Sequence, residues 1–154
     1  MTLAHLLSES QIVPALVSEE RWTAISEMVD CLVRSGKISA GDRDDVLASI
    51  RQREETMSTG IGFGIAIPHA SSDKVKEVVA AFGRSAHGVQ FDSLDEQPVF
   101  FIVLFVVPKD QFQTHLRTLA AIAKFLNDKA VRDDLGNASD AAALLRVFEN
   151  RSAR

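Results

Sequence analysis

The chain has 154 residues, 46% of them apolar and 25% charged, and a formal net charge of −4. This length suits one ordinary globular domain spanning residues 1–154, able to bury a core without metal or disulfide support, and the composition excludes a disordered, fibrous or membrane-embedded chain. A net acidic balance argues against the broad basic surface that neutralises nucleic-acid phosphates, so no nucleic-acid partner is expected.

The opening stretch, Met1 to Gln11, has no basic region followed by an apolar one, which speaks against a signal peptide and for a cytoplasmic location. From Glu19 to Ser35, Trp22, Ile25, Met28, Val29, Leu32 and Val33 recur every three or four residues and draw one helical stripe. Ser18 is placed to cap this helix, Glu19 and Glu20 to face the positive end of its dipole, and Gly36 to stop it. The only cysteine, Cys31, lies inside the stripe and reads as a buried thiol. A second helix is predicted from about Gly41 to Arg53, announced by Ser39 and Asp42 in capping-box spacing, with Val46, Leu47 and Ile50 turned inward.

At Thr59 the pattern changes to a glycine-rich loop entering a short strand, Ile65 to Ile67. A strand at Val75–Gly83, a turn at His87 and Gly88 and an extended piece at Val89–Phe91 follow. The run Val99 to Val107 is nine residues long, where a membrane-spanning helix needs about 20. Its β-branched and aromatic content fits a central strand covered on both faces. Beyond Pro108, Leu116, Leu119, Ile122, Ala123 and Leu126 mark a helix from Gln113 to Asn127. Ser139 caps a last helix to Asn150, and Arg151–Arg154 reads as a tail. The expected fold class is α/β: a layered α/β/α domain with a central mixed β-sheet flanked by helices.

The most unusual stretch is Thr59-Gly60-Ile61-Gly62-Phe63-Gly64-Ile65-Ala66-Ile67-Pro68-His69. Glycine at every second position clears one side of an extended backbone or permits positive φ, and leaves room for a ligand or partner to approach. The spacing is not that of a dinucleotide fingerprint or a nucleotide P-loop. Pro68 has no amide donor and disfavours helix at Ile67, so the strand is expected to end at His69, presenting the imidazole at a strand terminus. A histidine there suits either a function or a structural hydrogen bond. His115 opens the helix after Pro108 and meets His69 if the two ends pack together; at the surface it is simply a helix-entry residue. His5 and His87 have no metal-ligand spacing with Cys31, His69 or His115, and neither metal nor cofactor is expected.

Arg53-Glu54 followed by the Ser58–His69 run resembles the active-site signature of the enzyme IIA family of the bacterial phosphotransferase system, in its fructose/mannitol and nitrogen-regulatory class. The segment Gly88–Val99 is similar to that family's central hairpin, and Pro108 with His115-Leu116, Leu119 and Leu126 to its following helix. The resemblance implies that His69 accepts phosphate from a histidine phosphocarrier protein, that His115 sits beside it, and that Arg53 belongs to the same site. Amides of Gly60, Gly62, Phe63 and Gly64 become candidate phosphate or partner contacts. Two positions depart from the pattern: Phe63, where a polar residue is common, and Glu96, where glycine is common.

Three functions follow as expectations. One is a phosphorylation-dependent regulator of the nitrogen-regulatory kind, whose opening Leu3-Leu6-Leu7 segment this chain shares and whose output is binding to a target protein. Another is a sugar-specific enzyme IIA that passes phosphate to a cysteine of a IIB partner. The third is an interaction domain that keeps the fold without being phosphorylated.

Overall fold

In the computed structural model, which describes residues 2–152, the chain begins with α1 (Leu3–Leu6), β1 (Ile12–Val13), α2 (Arg21–Arg34) and α3 (Arg43–Thr56). Four strands follow, β2 (Gly60–Gly62), β3 (Ile65–Ala66), β4 (His69–Ser72) and β5 (Val79–Val89), then the long β6 (Val99–Pro108). It closes with α4 (Leu116–Asn127), α5 (Lys129–Asn137) and α6 (Ala141–Ser152). The expected mixed α/β architecture is present, as a six-stranded sheet ordered β1-β5-β6-β3-β2 with β4 also paired to β6.

The apolar run predicted as a central strand is β6, and from Phe101 to Val107 its side chains alternate between two cores as a period of two requires. Val99, Ile102, Leu104 and Val106 enter the core beneath α2 and α3. Phe101, Val103, Phe105 and Val107 enter the core on the opposite face, with Leu126 of α4, Val131 of α5 and Phe148 of α6. β6 is antiparallel to β5 but parallel to both β3 and β4. It is therefore the one strand that ties the glycine-rich segment, His69 and the second half of the chain together.

The helical predictions hold in type, and their ends differ for identifiable reasons. α2 starts at Arg21, and its cap is Glu20, whose carboxylate accepts from the Trp22 and Thr23 amides at 3.0 and 2.7 Å. Ser18 instead donates its hydroxyl to Glu27, and Glu19 stays outside the helix. Gly36 ends α2 as predicted, in the left-handed region at φ +78°, with Lys37 N–H bonded to Leu32 C=O. Ser39 and Asp42 form no side-chain cap; a single 3-10 turn, Ala40–Asp42, leads into α3. The predicted strand at Val75 begins only at Val79, and the expected turn at His87 and Gly88 is an irregularity within β5, absorbed by Gly88 at φ +91°.

Two C-terminal features escaped the periodicity. Lys129–Asn137 forms α5, capped by Asp128, and periodicity does not announce it because its nine residues carry too few apolar positions to draw a stripe. α6 is capped by Asp140, which accepts from the Ala143 amide at 2.8 Å, rather than by Ser139. It runs on through Arg151 and Ser152, residues expected in the tail; residues 153 and 154 lie outside the described residues. Cys31 is buried as expected, its thiol donating to Ser10 C=O, and burial raises its pKa. Leu116, expected to face inward, is 40% exposed.

The glycine run is a hairpin rather than a loop. β2 and β3 pair antiparallel around Phe63 and Gly64, both at positive φ (+58° and +76°). Gly60 is needed for close approach: a Cβ there would lie 2.8 Å from Ser93 Cα and closer still to its hydroxyl. Both Gly60 and Ser93 are backbone-tied through Leu94 N–H to Gly60 C=O, so neither segment moves aside freely. Gly60→Ala is expected to destabilise the fold by about 1–3 kcal/mol through overpacking, read as a lowered midpoint in urea unfolding.

Candidate functional site

His69 opens β4, directly after Pro68, so the strand that was expected to end at the imidazole begins with it. The physical reason is the one anticipated for the break. Pro68 has no N–H to continue the ladder, so β3 stops at Ala66, opposite Ile102, and pairing with β6 resumes three residues on in the same register, with His69 opposite Phe105. The Pro68 carbonyl still bonds Phe105 N–H at 3.0 Å, which holds the break in register.

The ring of His69 is 7% exposed and held on two sides. Its Nδ1 lies 2.8 Å from the Ile67 carbonyl oxygen. A carbonyl only accepts, so Nδ1 carries the proton and, in the neutral ring, Nε2 carries the lone pair. Nε2 has no partner among the described residues. One face of the ring stacks on Phe112, centroids 5.7 Å apart and planes 15° from parallel, an arrangement that contributes about 0.5–1.5 kcal/mol beyond burial.

The remaining side opens on a cleft of about 390 Å³ lined by Ser49, Gln52, Arg53, Thr56, His69, Ala70, Ser71 and Phe112. Ser49, Gln52, Arg53 and Thr56 recur at three- and four-residue spacing and so share one face of α3. Ser71 follows His69 by two residues on β4 and shares its face of the strand. Arg53 is half-buried, its Nη1 donating to Met57 C=O at 3.1 Å. Among the described residues no group of three or more His, Cys, Asp and Glu side chains is placed to hold a metal ion.

Electrostatically the cleft favours a neutral imidazole. Burial pulls the pKa of His69 below its ordinary value, with Arg53 acting in the same direction, while the Ile67 hydrogen bond and Glu54 oppose it. Glu54 is itself 1% exposed. It accepts from the Thr59 amide at 2.8 Å and its hydroxyl at 2.5 Å, and it pairs with Arg21 at 3.8 Å. Arg21 reaches on to Asp92 at 3.4 Å, so one guanidinium joins α2, α3 and the loop after β5.

The structure thus brings His69 and Arg53 to one cleft. His115 is not among the residues that line it: half-buried on the 3-10 turn Gln113–His115, its ring lies edge-on to Phe105 at 6.3 Å. It shares Phe105 as a neighbour with His69 and makes no hydrogen bond to it among the described residues. Gly60, Gly62, Phe63 and Gly64 do not line the cleft. The room their missing side chains leave is taken by Ser93 at Gly60 and narrowed by Phe100 at Gly64, whereas at Gly62, which has φ +99°, a side chain would meet Asp95 only at ordinary contact distance. The Phe63 amide is engaged by Asp95 Oδ2 at 3.3 Å, and the 64%-exposed ring lies under the Arg132 guanidinium at 5.2 Å. Phe112 was missed by sequence reasoning, because it falls off the stripe of α4; an aromatic among polar residues just before His115 was the signal available.

The chain matches the family described as phosphoenolpyruvate-dependent sugar phosphotransferase system, EIIA 2, over residues 5–151, and belongs to it. It is 38% identical over 112 residues to a PTS system fructose-specific EIIA component of Haloferax volcanii, covering 73% of this chain and 71% of the relative. It is 29% identical over 148 residues to a nitrogen regulatory protein of Bradyrhizobium diazoefficiens, covering 96% and 95%. The crystal structure of nitrogen regulatory protein IIA-Ntr from Neisseria meningitidis superposes with a TM-score of 0.85 at 30% identity, covering 95% of this chain and 98% of that one. The resemblance read from the active-site run is thereby borne out at the level of family and fold. No helix among the described residues is long and apolar enough to cross a membrane.

The lowered pKa of His69 has a sign that can be checked. In the unfolded chain the imidazole takes up its proton near the ordinary value of about 6.5, whereas the native ring resists until a lower pH. Between those two values the unfolded state binds more protons, so stability is lost as pH falls through the unfolded pKa, and the loss levels off below the folded one. An NMR titration is expected to give His69 a midpoint below that of a histidine peptide, and His69→Gln to show a shallower decline of stability on the acid side.

Proposed function

We propose that the protein is a phosphoryl carrier in which Nε2 of His69 accepts a phosphoryl group from the phosphohistidine of a histidine phosphocarrier protein. The observation that carries this reading is the Nδ1–H bond to Ile67 C=O, which commits the proton to one nitrogen and leaves the other as a nucleophile beside an arginine. In the transfer, the Nε2 lone pair forms the new N–P bond while the carrier's P–N bond breaks and its electron pair returns to the carrier's imidazole. Such a transfer passes through a loose, in-line transition state that the protein stabilises by position and charge. A neutral acceptor is required, and the burial that lowers the pKa of His69 keeps it neutral near pH 7. Arg53 supplies positive charge to the dianionic group, and hydrogen bonds of that kind contribute about 1.5–3 kcal/mol each. His115, which shares Phe105 with His69 as a neighbour, serves as a supporting group.

The branch we favour is regulatory: the phosphorylation state of His69 controls binding to a target protein. Its support is the near end-to-end match to relatives named nitrogen regulatory protein. A second reading, a sugar-specific enzyme IIA that hands its phosphoryl group to a cysteine of a IIB domain, draws support from the fructose-specific relative of Haloferax volcanii. Phe63 gives the third expectation, an unphosphorylated interaction domain, only an exposed aromatic ring outside the cleft.

Incubation with phosphoenolpyruvate, enzyme I and the phosphocarrier is expected to give one acid-labile phosphoryl adduct by intact mass, absent in His69→Ala; an unlabelled wild type ends this reading. Arg53→Met is expected to slow labelling on the order of 10- to 100-fold, the loss of one charge-assisted contact. His115→Ala is expected to stay folded and to transfer more slowly, and unchanged kinetics would remove it from the site. Transfer from the labelled protein to an isolated IIB domain would favour the sugar branch; retention of the label, with a change in affinity for a target protein, the regulatory one.

A further inference from the structure

Phe112 is the cleft residue whose ring stacks on the acceptor imidazole, with centroids 5.7 Å apart and planes 15° from parallel, and it comes from a part of the chain remote from His69 in sequence. Its position is fixed twice over. β6 delivers it at the end of the strand that pairs with β4, Ser72 lying opposite Pro108, and Lys109 N–H bonds Ser72 C=O at 3.0 Å. The chain then reverses through Asp110 at φ +70°, Gln111 N–H bonding Pro108 C=O at 3.1 Å, and Phe112 begins the turn whose last residue is His115. The ring is only half-buried and packs against the α4–α6 side of the core while reaching into the cleft.

An imidazole tethered through Nδ1 still has freedom to rotate about its Cβ–Cγ bond, and the nearly parallel Phe112 ring, with its centroid 5.7 Å away, borders one of its faces. We infer that Phe112 is a positioning residue for phosphoryl transfer, clamping the His69 ring against the Ile67 carbonyl so that Nε2 alone is presented to the incoming phosphorus. This deepens the phosphoryl-carrier reading and rests on it. The charged groups acting on the ring are Arg53 and Glu54 on α3, and the titratable His115 on the turn before α4 packs on Phe105 next to it; Phe112 adds no charge, so it acts by geometry and exclusion of water.

The test uses a small donor as well as the protein one. Phosphoramidate transfers its phosphoryl group to a histidine nitrogen, the N–P bond forming as the donor's P–N bond breaks and ammonia leaves, with no docking surface involved. Phe112→Ala is expected to slow labelling by phosphoramidate and by the phosphocarrier in parallel, each about three- to tenfold, with Phe112→Tyr retaining most of the rate. NMR of the imidazole nitrogens in Phe112→Ala is expected to show a mixed tautomer population and a higher midpoint than wild type, while backbone spectra show the fold intact. Slowing with the phosphocarrier only would make Phe112 a docking contact and overturn the inference, as would wild-type tautomer, midpoint and phosphoramidate rate in the alanine variant. If Phe112→Ala fails to fold, Phe112→Leu, which keeps bulk without a flat face, takes its place with the same outcomes. The NMR measurements need no phosphoryl donor, so an unlabelled wild type, which would end the carrier reading, is told apart from failure of the clamp.

Discussion

The site depends on a missing hydrogen-bond donor. Pro68 cannot continue the ladder between β3 and β6, and the interruption it causes lets the neighbouring carbonyl of Ile67 turn to the side chain two residues on. Pairing resumes at His69 because Phe105 N–H takes the Pro68 carbonyl, so the break costs the sheet little. The ring that results has its proton on Nδ1 and its lone pair on Nε2, a choice made by the backbone rather than by any acidic partner.

Around that ring, charge is arranged by burial. Arg53 and Glu54 are adjacent in sequence and point to different tasks: Arg53 lines the cleft, and Glu54, almost fully buried, closes the α3–β2 connection by accepting two hydrogen bonds from Thr59. A buried carboxylate is tolerable only when paired and hydrogen-bonded, and Arg21 with the Thr59 contacts meets that condition. Glu54 is therefore an anchor that ties α3 to the segment entering β2 and to α2. Its removal would leave Arg21 partly buried with only Asp92 as a partner.

Much of this was legible without coordinates. The central strand was read from a continuous β-branched and aromatic run, because only a strand covered on both faces tolerates polar residues nowhere along its length. The glycine run was read as small residues for close approach, and within the chain Ser93 comes that close at Gly60 and Phe100 at Gly64. Sequence spacing reports that space is needed but not what fills it. Caps were misplaced by one or two residues at Ser18 and Ser139 because several oxygen-bearing side chains compete near each helix start, and the tertiary contacts of Glu27 and the placement of Asp140 decide among them. α5 carries too few apolar positions to announce itself and owes its burial to Val131 and Leu135 meeting the β6 face.

By itself the sequence determined the fold class, the place of the central strand, the family signature and the pairing of a histidine with a proline that breaks its strand. These are local matters: periodicity and the chemistry of single residues act over a few positions along the chain. Only the tertiary structure decided that Arg53 and Phe112 face one cleft with His69, that His115 packs on Phe105 behind His69, and that the glycine hairpin is not part of the cleft lining. Those relations join residues far apart in sequence through the pairing of β4 with β6 and the seat of α3 on β4, and a side chain's neighbours across such joints are set by packing in three dimensions.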